Sequence, residues 1–100
     1  VPPEQALDRI ERLLDEERDA LRRLDGARVE ALTDEKATLV RGLPESLPGR
    51  PDLAPRARAV AAGLRRNAVL LAHARDCLRD VLAAVQEAPG RAAVHLSLHG

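Results

Sequence analysis

His73 and Cys77 stand four residues apart, a spacing that puts both on one face of a helix, and both are zinc-ligand types. A zinc site needs three or four protein ligands, and no other cysteine or neighbouring histidine completes the set. Cys77 is therefore read as a small hydrophobe beside an apolar seam, with His73 at its polar edge. His95 and His99 form a second pair on a segment whose pattern is not helical, and they read as solvated tail residues. Asp15, Glu16, Glu17 and Asp19 make the densest acidic cluster, and paired carboxylates perform acid and base chemistry when a pocket drives their pKa values apart. Here they interleave with Arg12, Arg18, Arg22 and Arg23, which offers pairs such as Asp8 with Arg12 and Asp19 with Arg23, each worth ~0.2–0.5 kcal/mol. A solvated charged face is the simpler account. Arg56, Arg58, Arg65, Arg66, Arg75 and Arg79 resemble a phosphate-binding stripe, but no base-reading side chains accompany them. Pairing with an acidic helix explains them more simply. No glycine-rich phosphate loop and no nucleophile with a base is present, so neither enzymatic activity nor a metal or cofactor is expected.

The elements that position these residues follow from composition and spacing. Charged residues make up 32% of the chain and apolar ones 45%, and Phe, Trp, Tyr and Met are all absent. That is the make-up of helices with charged surfaces and aliphatic seams. Without aromatics there is no stacking platform for single-stranded nucleic acid and no aromatic anchor for a membrane interface, so neither partner is expected. Net charge is zero, yet residues 1–45 carry twelve acids and eight bases while residues 46–100 carry four acids and eight bases. Two oppositely biased halves suit helices lying side by side. Cys77 is the single cysteine, which excludes an intramolecular disulfide. No uninterrupted apolar run exceeds five residues, as in Ala68 to Ala72, far short of a membrane span. A cytoplasmic location is the resulting expectation.

The spacing predicts an all-α, long antiparallel coiled-coil hairpin. Pro2, Pro3 and Glu4 make a suitable helix start. The first helix is expected from about residue 3 to 43, with Leu7, Ile10, Leu14, Leu21 and Leu24 in a three-and-four rhythm that only Glu17 breaks. Past Gly26 the rhythm shifts by one residue through Val29, Leu32, Leu39 and Leu43, with Lys36 in the gap. A bend at Gly26 in one long helix absorbs that slip; a break into two helices is the alternative, since glycine costs roughly 1 kcal/mol in a helix interior. Residues 44–51 hold three prolines and a glycine and are read as the hairpin loop, with Asp52 as the next N-cap.

The second helix is expected from about residue 53 to 88. Leu53, Ala57, Val60, Leu64, Asn67, Leu71, Ala74, Leu78, Val81, Val85 and Ala88 alternate in steps of four and three without a slip. Ala61, Ala68, Leu70 and Leu82 widen this face beyond what one helix covers, so a further helix, a second copy or a client protein must pack there. Asn67 is the one polar member of the seam and is read as a register-setting residue; its replacement by Leu is expected to raise thermal stability and blur the oligomeric state. Pro89 and Gly90 end the helix, which gives a helical domain over 1–88 and a tail over 89–100. In the tail Val94, Leu96 and Leu98 alternate with polar residues, an extended pattern too short to stand alone.

Three segments together resemble the FlgN-type flagellar export chaperones. They are Leu13-Leu14-Asp15-Glu16-Glu17-Arg18-Asp19-Ala20-Leu21, then Val29-Glu30-Ala31-Leu32 with Asp34-Glu35-Lys36-Ala37-Thr38-Leu39, and then Leu64-Arg65-Arg66-Asn67-Ala68-Val69-Leu70-Leu71. The likeness covers roughly residues 7–85. It implies a cytoplasmic chaperone that binds the C-terminal helices of hook-filament junction proteins, prevents their premature polymerisation and delivers them to the type III export apparatus. Client contacts in that family lie toward the C-terminal part, which here points to Leu78, Leu82, Val85, Val94, Leu96 and Leu98 as partner-binding residues. The family's chains usually continue for some tens of residues more. A self-associating coiled-coil scaffold, which makes the protein a homodimer, and another type III secretion chaperone or adaptor are the competing expectations.

Overall fold

The structure is a computed structural model and describes residues 1–87. Its element order is α1 (Pro3–Arg22), α2 (Gly26–Ser46), a 3₁₀ turn η1 (Pro51–Leu53) and α3 (Ala54–Glu87), with no strand among the described residues. The chain divides into two units between Val69 and Leu70. The all-helical class is as the sequence implies, and α3 begins within a residue of its expected start. Ala88 and the tail, with Val94, Leu96 and Leu98, lie outside the described residues.

The first expected helix is instead two. Leu24 takes the left-handed conformation, φ 56°, directly after the last turn of α1. Its amide donates to Leu21 O at 3.1 Å and the Asp25 amide donates to Ala20 O at 2.9 Å. These two bonds close a Schellman motif, which satisfies carbonyls that a helix end leaves open. The Asp25 side chain then accepts from the Arg28 amide at 3.0 Å and caps α2. Gly26 is thus the first residue of a new helix, and the residue in the strained position is Leu24, which is 89% exposed rather than seated in a seam.

α1 and α2 run antiparallel: Arg9 meets Glu35 through two hydrogen bonds of 2.7 and 3.0 Å, and Arg28 meets Glu16. α2 continues through Pro44 to Ser46, beyond the expected start of the loop. Proline removes one amide near the helix end, yet Leu47 still donates to Leu43 O at 2.9 Å. The turn is consequently confined to residues 47–50. Asp52 is not an N-cap; it lies inside η1, and Arg50 holds its carboxylate at 3.0 and 3.1 Å.

The start of α3 then runs parallel to α1. Arg50 reaches Glu4, Arg56 reaches Asp8 and Glu11, and Asn67 reaches Leu14 and Glu17. The acidic and basic halves therefore do pair, but Asp8 pairs with Arg56 and not with Arg12; Asp19 pairs with Arg23 at 2.9 Å as expected. Because α1 touches both other helices, it buries a face wider than a single seam: Ala6, Leu7, Ile10, Leu13, Leu14, Glu17 and Ala20. One core cluster joins Leu7, Ile10 and Leu14 to Leu43, Leu53 and Val60; another joins Leu13 and Ala20 to Leu32. Gly63 lets α3 approach closely, since a Cβ there would stand 2.9 Å from Leu14 Cδ1.

Candidate functional site

Each residue that interrupts an aliphatic seam lies in one layer of the 1–69 unit. Glu17 of α1 and Asn67 of α3 have no solvent exposure. The Glu17 carboxylate accepts from Lys36 Nζ at 2.9 and 3.0 Å, from Thr33 Oγ1 at 3.0 Å and from Asn67 Nδ2 at 2.9 Å. Asn67 Nδ2 also donates to Leu14 O at 2.9 Å, while its Oδ1 accepts from Arg18 at 3.0 Å. Burial pushes the Glu17 carboxyl up, but hydrogen bonds from Lys36, Asn67 and Thr33, with the Lys36 charge, outweigh it and hold the group ionised below its ordinary range. Glu17 is accordingly no part of a solvated acidic face, unlike Asp15 and Asp19, which are exposed. A carboxylate so fully committed to protein donors has no open side for a substrate. This layer ties three helices together; Leu in place of Asn67 would remove donors from Leu14 O and Glu17, so the geometry predicts a loss of stability where the sequence pattern alone predicts a gain.

Beside this layer an open groove of about 240 Å³ lies between α1 and α3. Leu14, Val60 and Gly63 line it together with Glu11, Asp15, Arg18 and Arg66. Its charges are mixed in sign and favour neither an anion nor a cation.

Of the expected partner residues, Leu78, Leu82 and Val85 fall in the 70–87 part of α3, and Val94, Leu96 and Leu98 lie outside the described residues. Leu78 is 60% exposed and Leu82 53%, whereas Val85 is half-buried. Two seam and flank residues absent from the sequence-based set share this exposure, Val81 and Leu70. The unbroken four-three rhythm was the signal for Val81, and the widened apolar face was the signal for Leu70. Cys77 is also exposed, not packed as a small hydrophobe, and its Sγ lies 3.7 Å from His73 Nε2. No group of three or more potential metal ligands occurs among the described residues, and none of their helices is long and apolar enough to cross a membrane. Comparisons with protein-family models, curated proteins and solved structures gave no match.

Proposed function

We propose that this protein works by binding helices of other proteins through the 70–87 face of α3. The reading that fits best is a cytoplasmic FlgN-type export chaperone for the C-terminal helices of hook-filament junction proteins. The observation that carries the binding role is the exposure, on one helix, of Leu78 and Val81 in the seam and of Leu70 and Leu82 on its flanks. Solvent-facing aliphatics scattered singly need no explanation, but a contiguous row marks an interaction surface. The family assignment rests on the three sequence segments that resemble these chaperones. A partner helix with its own apolar seam can lie along such a row, its i, i+3, i+4 and i+7 side chains filling the gaps. Covering the exposed parts of four such residues contributes ~1 kcal/mol each, before the cost of association. Val94, Leu96 and Leu98 extend the proposed contact by sequence alone.

Copurification with candidate junction proteins tests this reading. Leu82→Asp in the full chain should abolish capture of a junction-protein C-terminal helix, and deletion of residues 89–100 should weaken it, both without loss of helicity. Undiminished capture by the Asp variant would refute the placement, and failure of the unaltered chain to bind any junction protein would refute the chaperone reading.

A further inference from the structure

The row of side chains on 70–87 has a second property. In heptad terms Leu71, Leu78 and Val85 take one core position, and Ala74 and Val81 take the other. The flanking positions are Leu70, Arg75, Cys77, Leu82 and Ala84, so a single charge borders the seam. Partner choice in coiled coils is set by charges at these flanks, attracting one sequence and repelling others. Here that code is nearly blank. An antiparallel symmetric pair sets each flank against its own copy, and a flank almost free of charge is one that such a pair tolerates.

Side-chain size selects the direction. A parallel pair would stack Ala74 on Ala74 and Leu78 on Leu78, alternating thin and thick layers. An antiparallel pair sets Ala74 against Val85 and Leu78 against Val81, which evens the layers, and it also opposes the two helix dipoles. Leu78, Val81 and Leu82 are between 53% and 61% exposed, and all three lie on the face that such a pair covers. Their exposed area falls short of the ~800 Å² per partner of a standard interface, which suits a weak pair that a client can displace.

We infer that in the absence of a client the 70–87 face of α3 is covered by the same face of a second copy, in an antiparallel pair with Leu78 over Val81. This rests on the reading of 70–87 as the binding face, and it makes client binding and self-pairing mutually exclusive.

Sedimentation equilibrium of the full chain at about 100 µM gives the first test. A mass twice 10.8 kDa is expected, falling to the single-chain mass in Leu78→Asp with the helical circular dichroism retained. A single-chain mass for the unaltered protein overturns the inference, as does a dimer that persists in Leu78→Asp. Direction is read in a Cys77→Ser background by mixing Ala74→Cys chains with Val85→Cys chains and oxidising. Disulfides between unlike chains support the antiparallel pair, whereas Ala74→Cys chains joined to each other overturn it. Client capture is scored separately: a monomer that still binds a junction protein sinks self-pairing alone, and a dimer that binds none sinks the chaperone reading alone.

Discussion

Lys36→Met removes the cation from the buried layer and leaves every other partner of Glu17 in place. Lys36 is itself mostly covered, its side chain 13% exposed against 1% for Glu17, so little solvent screens the pair. Stranding a buried carboxylate costs about 3–5 kcal/mol. The loss has a ceiling, because Glu17 can take up a proton instead of staying charged. From an ordinary value of 4.5, doing so at pH 7 costs about 1.4 kcal/mol per pH unit, or roughly 3.5 kcal/mol. At pH 5 the same escape costs under about 1 kcal/mol. The variant should therefore lose about 3 kcal/mol at neutral pH and much less at pH 5. The unaltered protein behaves in the opposite way. Its Glu17 is held below the ordinary value, so that contribution is fully present above pH 4.5 and is lost as pH falls through the lowered folded-state value. Urea unfolding of both proteins at the two pH values settles the matter, followed by circular dichroism because the chain has no aromatic residue. A loss below about 1 kcal/mol at pH 7, or one that does not shrink toward pH 5, would refute the reasoning.

Four further outcomes follow from the same geometry. Asn67→Leu should lower stability by about 1–3 kcal/mol in urea titrations, since it leaves Leu14 O and Glu17 short of a donor; an increase would mean that its hydrogen bonds contribute nothing net. Leu24→Gly relieves a left-handed leucine and should raise Tm by about 5 °C in a thermal scan, as expected for ~1 kcal/mol in a domain of this size. Gly42→Ala, where an added Cβ meets nothing within 4 Å, should add about 0.5–1 kcal/mol, whereas Gly63→Val, pressed against Leu14, should cost about 1–3 kcal/mol.

The helical class and the start of α3 were legible because the four-three rhythm from Leu53 onward has no slip. The break between α1 and α2 was only half legible. The phase shift and Gly26 located it within two residues, but the turn is built by Leu24, and leucine carries no sequence signal for a left-handed conformation. Reading through that turn hid the third helix and with it the second buried face of α1, so Leu13 and Ala20 went unrecognised as core. Glu17, Lys36 and Asn67 were each visible as faults in a seam. That they answer one another was not, because their pairing depends on how α2 folds back and where α3 lies. For the partner face, spacing identified the row but not how far each member is exposed, which depends on packing from elsewhere.

The parallel alignment of α1 and α3 carries a consequence for how the chain acquires its structure. α2 reaches α1 across a three-residue turn, with pairings such as Glu16–Arg28 and Glu17–Thr33 close in sequence. Every contact from α3 to α1 closes a loop more than twice as long, as between Leu14 and Asn67. Closure entropy grows with loop length, so the α1–α2 pair is the cheaper first step on the route to the native state. On that route Lys36 neutralises Glu17 before α3 docks, and the arriving amide of Asn67 meets a charge already tamed.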